Sequence, residues 1–130
     1  MWRFAELLEI DPSISVSLGE GDTPLLKATW SRLVQPGGPT ICFKAEHQNP
    51  TGSFKDRIAA MATAIIARDT LRGAVGTSSG NGGTAIAAYG ARADFPVMLF
   101  TVSGIVDGKL QQILAHGARA NIVAEPVSYT

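Results

Sequence analysis

An α/β fold built on a parallel, helix-covered sheet is the class that this sequence predicts, and three observations carry the prediction. From residue 74 onward, short β-type runs alternate with helical segments of about ten residues, the pattern of repeated strand–loop–helix units. Hydrophobic residues make up 45% of the chain and charged residues 17%, a balance that suits a largely buried domain and not a disordered one. Two turns rich in glycine and serine stand just ahead of helical stretches, where ligands collect in sheets of this kind.

Trp2 to Ile10 places Trp2, Ala5 and Leu8, with Phe4 and Leu7 beside them, on one side of a short amphipathic helix that Asp11-Pro12 stops. Leu18 to Leu26 is rich in turn-formers and closes on a short apolar segment. Gln35-Pro36-Gly37-Gly38-Pro39 reads as a hairpin-like surface loop. Thr40 to Glu46 reads as a strand, in which Cys42 alternates with Ile41 and Phe43 and is expected to be a buried, inert thiol.

Asn49 to Arg57 reads as a tight turn entering a helix that runs to about Asp69. Ser53 stands at the expected N-cap, and Asp56 three residues on completes an S-x-x-D capping box. Phe54, Ile58, Met61, Ala62 and Ile65 repeat at helical spacing and are expected to form the buried stripe. Ala74 to Ser78 follows as a strand, Ser79 to Gly83 as its loop, and Thr84 to Ala93 as a helix. Gly90 is expected to weaken that helix by ~1 kcal/mol relative to alanine. Val97 to Val102 is a continuous apolar run of buried-strand type. Asp107 is the expected N-cap of a helix carrying Leu110, Ile113 and Leu114, with Gly117 just past its end, and Asn121 to Ala124 is a last strand.

Composition narrows the function. The chain has 130 residues, enough for one domain with a real core, and its 11 basic and 11 acidic side chains balance. Without a basic stripe there is no electrostatic footprint for nucleic acid. The single cysteine excludes an internal disulfide and fits a reducing compartment. The first residues lack the basic-then-apolar layout of a signal peptide, and no apolar run approaches the ~18 residues of a membrane span. A cytoplasmic protein with no membrane contact and no metal site is therefore expected.

Two stretches carry chemistry. Lys55 falls in the first turn of its helix, where unpaired N–H groups amount to about half a positive charge. A cation is disfavoured there, and Arg57 pushes the same way, so the neutral amine that an imine-forming lysine needs is favoured. A surface lysine that happens to follow a cap is the commoner meaning of such a residue.

Downstream, Ser78-Ser79-Gly80-Asn81-Gly82-Gly83 offers hydroxyls, a carboxamide and backbone N–H groups ahead of a helix, a nest for a carboxylate or phosphate. As a dinucleotide site it fits G-x-G-x-x-A, but no acidic residue follows about 20 positions on. As a P-loop it lacks the lysine and the Ser/Thr. As the seat of an amino-acid carboxylate opposite a lysine-bound aldehyde it uses both the loop and Lys55. A glycine-rich connection without a ligand is the remaining reading.

Together these segments resemble the pyridoxal-phosphate enzymes of the tryptophan synthase β type, fold type II, and within them the threonine synthase family. The matching residues are Trp2-Arg3, Ser17 to Leu25, Lys44 to Arg57 with its Asn-Pro-Thr-Gly-Ser-Phe-Lys-Asp-Arg signature, Ser78 to Asn81, Ala87 to Tyr89, Lys109 to Gln112 and Gly117-Ala118. The resemblance implies a doubly wound, three-layer αβα sheet and pyridoxal 5′-phosphate as cofactor. It implies that Lys55 is the Schiff-base lysine and proton-transfer base, and that Asn81 meets the ring hydroxyl of the cofactor. Ser78, Ser79, Gly80, Asn81 and, by position, Gly82 would bind the substrate carboxylate. The implied reaction converts O-phosphohomoserine and water to threonine and phosphate; threonine dehydratase and cysteate synthase share the lysine turn and are alternatives.

Gly82 departs from the family pattern, which often has threonine there. Ser103 replaces a proline common after the Val97–Val102 strand. The family's phosphate cradle and the hydroxyl partner of the pyridine nitrogen come from a C-terminal half that these 130 residues do not match. Residues 1–130 thus read as one partial N-terminal domain, with 1–46 an extension with the first strands and 47–130 the lysine turn and αβ units. The implied partners are a small amino-acid substrate and either a C-terminal half or further copies of the chain. A non-catalytic remnant or interaction module that keeps the half-fold is the competing reading.

Overall fold

A computed structural model describes residues 1–28 and 37–124. The elements are α1 (Ala5–Leu8), β1 (Leu25–Lys27), β2 (Cys42–Lys44), α2 (Lys55–Arg68), β3 (Ala74–Thr77), α3 (Asn81–Arg92), β4 (Val97–Val102), α4 (Asp107–Ala115) and β5 (Arg119–Val123). Short 3-10 turns at Trp2–Phe4, Pro12–Ile14 and Glu46–Gln48 complete them.

The organising unit is a parallel sheet in the order β3-β4-β5. Parallel neighbours need crossovers, and α3 and α4 supply them. Ala87 of α3 and Ile113 of α4 pack with Val97 and Leu99 on one face of the sheet, joined by Ile105 and Ala118. A second cluster sets Ala59 and Ala60 of α2 against Ala85, Ala88 and Tyr89 of α3. The opposite sheet face carries Val75, Met98, Phe100 and Val102, by register on one side; Val75 is 74% exposed.

Several expectations change. The expected stripe of α2 is not the buried face: Phe54 and Ile58 are 52% and 55% exposed and Met61, Ala62 and Ile65 half-buried, whereas Ala59, Ala60, Thr63 and Ala64 are buried. Small residues let α2 approach α3 closely, and the large side chains take the outer face. Cys42 is exposed, not buried. β1 and β2 form a separate antiparallel ribbon whose residues are all exposed, so alternation does not hide one side. Helix α4 takes Val106 as N-cap, with Asp107 inside the first turn, where its charge faces the helix dipole. Phe4 and Leu7 are exposed while Ala5 is buried, and Glu9 in the left-handed region ends α1 before Asp11-Pro12. Of the expected 35–39 loop, Gln35 and Pro36 lie outside the described residues.

Gly90 is not simply a weak point. A Cβ there would stand 2.4 Å from Val97 Cγ2, so glycine is what allows α3 to lie on β4.

Candidate active site

The lysine turn is closed by its own polar groups. Gly52, at φ +87°, reverses the chain, and its N–H donates to the Asn49 carbonyl at 2.8 Å. Asp56 is fully buried; its carboxylate accepts from the Thr51 N–H at 2.8 Å and from the Thr51 hydroxyl at 2.5 Å. The reciprocal capping box expected between Ser53 and Asp56 therefore does not form. Helix α2 begins at Lys55 with Phe54 as N-cap, and Ser53 Oγ accepts from the Lys55 N–H, at 3.3 Å. Thr51, with two donors, takes the carboxylate instead.

A second carboxylate ties this turn to residues 21–23. Glu46 accepts from Arg57 Nε and Nη2 at 3.0 and 2.9 Å, from the Thr23 hydroxyl at 2.6 Å and from Asn49 Nδ2 at 3.0 Å. Asn49 Oδ1 in turn accepts from the Gly21 N–H at 2.9 Å. Bonds from Arg57 and then Thr23 hold the Glu46 carboxyl down at about 2. Arg57, expected from the sequence to disfavour a cation at Lys55, is thus paired with Glu46. Tyr89 donates to Glu20 at 2.6 Å. Burial, then this bond, pushes the phenol up; the Glu20 carboxyl, raised by burial, is brought below its usual range by Tyr89, Ser17 and Leu18.

The glycine loop lies partly inside α3, which starts at Asn81 and not at Thr84. Ser78 Oγ accepts from Gly83 N–H at 2.8 Å and Gly80 N–H at 3.3 Å, so this side chain organises the loop from within. Asn81 and Gly82 open the helix, with no intrahelical acceptor for their N–H groups. The Ser79 and Asn81 side chains are exposed and have no hydrogen-bond partner among the described residues. A Cβ on Gly82 would meet only Ser78 Oγ, at 3.4 Å.

The helices that the two predicted stretches lead into pack on each other. Ala59 and Ala60 of α2 share one cluster with Ala85, Ala88 and Tyr89 of α3. The Lys55 amine has no hydrogen bond or ion pair among the described residues; it stands 4.9 Å from the Phe54 ring centroid. An amine without a hydrogen bond or ion pair, on a helix packed against the one that opens with the Asn81 and Gly82 N–H groups, fits an aldehyde cofactor. Sequence reasoning missed Glu46, Asn49 and Thr51 as parts of this site. The available signal was a run of polar residues, Glu46 to Thr51, placed where burial would force them to pair. Among the described residues no group of three or more His, Cys, Asp or Glu side chains could hold a metal ion.

Residues 16–128 match the model of the family described as pyridoxal-phosphate dependent enzyme, and the chain belongs to that family. More narrowly, it is 37% identical over 121 residues to a threonine synthase of Methanosarcina acetivorans, covering 92% of this chain and 29% of that one. It is 43% identical over 105 residues to a threonine synthase of Mycobacterium bovis, covering 80% of this chain and 29% of the relative.

Among solved structures, a hydrogen sulfide-producing enzyme from Fusobacterium nucleatum superposes with a TM-score of 0.69 at 26% identity, covering 79% of this chain and 35% of that one. A pyridoxal 5′-phosphate-dependent aspartate racemase gives 0.66 at 33% identity, over 77% of this chain and 32% of that one. The fold is the parallel, three-layer αβα class of the tryptophan synthase β-like enzymes. The chain spans under a third of the length of these curated relatives. No described helix is long and apolar enough to cross a membrane.

Proposed function

We propose that this chain carries the lysine and carboxylate subsites of a pyridoxal-phosphate lyase of the threonine synthase kind, which converts O-phosphohomoserine and water to threonine and phosphate. The observation that carries this reading is the Lys55 amine, without a hydrogen bond or ion pair among the described residues, on a turn held by two carboxylates at the start of a helix that packs against α3. Bound pyridoxal phosphate supplies an electron sink for a carbanion at the substrate's α-carbon. Lys55 would hold the aldehyde carbon and then move the α-proton through Nζ. Ser78, Ser79, Gly80, Asn81 and Gly82 would seat the carboxylate, using hydroxyls and the N–H groups of the first turn of α3. Asn81 would also offer its carboxamide to the ring hydroxyl.

The cradle for the cofactor phosphate belongs, on this reading, to a C-terminal half, continuous with this chain or separate, so the chain alone would recognise the phosphate poorly. Linkage should then be about as fast with 5′-deoxypyridoxal, which has no phosphate, as with pyridoxal phosphate. A much faster reaction of the phosphate form would place the cradle within this chain. The apolar sheet face with Val75 74% exposed favours a second reading, a non-catalytic module that keeps the half-fold.

Purified protein mixed with pyridoxal phosphate should develop the absorption of a lysine-linked cofactor, and Lys55→Ala should abolish it. Identical spectra from the two proteins would reject the lysine assignment.

A further inference from the structure

We propose that Thr51 and Asp56 form a positioning pair for Lys55, a clasp that fixes the backbone of the lysine without touching any reacting atom. The proposal rests on the reading of Lys55 as the cofactor lysine. Asp56 is 0% exposed, and both of its hydrogen bonds come from Thr51, five residues back. A buried carboxylate costs several kcal/mol unless it is fully bonded. Among the described residues it pairs with no cation and caps no helical N–H, although its neighbours on the buried face of α2 are small, mostly alanines. Packing alone would be served as well by another small side chain.

What the carboxylate does accomplish is to close residues 51–56 into a ring with Lys55 inside it. Ser53 secures the ring at the Lys55 N–H, and the Asp56 N–H bonds the Ser53 carbonyl at 3.3 Å. On the other side Arg57 is locked by Glu46. Both residues that follow Lys55 are therefore pinned while its own amine makes no hydrogen bond or ion pair among the described residues. Such a division, with a rigid backbone and a free head group, is what holding a nucleophile ready requires.

Thr51→Val removes the hydroxyl donor but keeps the side-chain volume and the backbone bond, and Thr51→Ser restores the hydroxyl. The measurements are amide hydrogen exchange along the chain, thermal unfolding, and the rate at which pyridoxal phosphate becomes fixed to Lys55 under borohydride. Loss of one charge-assisted bond should speed exchange in residues 52–57 about tenfold relative to α4 and slow linkage at Lys55 about tenfold, with Thr51→Ser within about twofold of wild type. Faster exchange spread equally over the turn and α4, with linkage per folded molecule unchanged, would reduce the bond to general stability and overturn the proposal. If wild type forms no link at Lys55, the proposed function fails, while the contrast between local and global exchange still decides whether the clasp exists.

Discussion

Glu46 concentrates the electrostatics of the site in one residue. With its carboxyl held at about 2 against an ordinary 4.5, its contribution to stability is full above pH 4.5 and is lost as pH falls toward 2. Glu46→Gln keeps the volume and one acceptor but removes the charge. Its urea midpoint should lie below wild type at pH 7, and the two curves should converge between pH 4.5 and about 2. Parallel curves would show that the Arg57 pair does not govern acid stability. In the candidate site, the place of Lys55 at the start of α2 was legible because turn, helix start and signature coincide at one position. The Glu46 and Asp56 bonds were not, since which donor a carboxylate chooses depends on neighbours brought in by the fold, here Thr23 and Arg57 for one and Thr51 for the other.

Elements were legible in kind and less so in orientation. The Val97–Val102 strand and the helix to Arg68 follow from apolar continuity and helical spacing. The buried face of α2 did not follow, because large apolar residues mark a core only when space exists for them, and the contact with α3 is built from alanines. Glycine shows the same dependence on packing. Gly90→Ala gains ~1 kcal/mol of helix propensity. It also forces a Cβ against Val97 Cγ2, an overpacking that costs about 1–3 kcal/mol, so the net change should be a loss of up to about 2 kcal/mol, read as a lower thermal midpoint. Gly82→Ala, whose Cβ has ordinary contact distance, should instead stabilise α3 by about 0.5–1 kcal/mol. Equal effects of the two substitutions would show that packing of α3 on β4 does not depend on Gly90.

At the scale of the whole molecule, alternating strands and helices revealed the parallel sheet, whereas the placement of β1 and β2 in a separate ribbon was hidden. Three-residue strands carry too little periodicity to say which sheet they join. The architecture packs α2 on α3, and the proposed site at the start of α2 makes Lys55 unlike the other three lysines, Lys27, Lys44 and Lys109. The most direct measurement is to mix the protein with substoichiometric pyridoxal phosphate, fix the product with borohydride, and map the label by peptide mass spectrometry. Label concentrated on Lys55, and displaced from it by an amino-acid substrate before reduction, is the predicted result. Label spread evenly over the four lysines, indifferent to substrate, would contradict it.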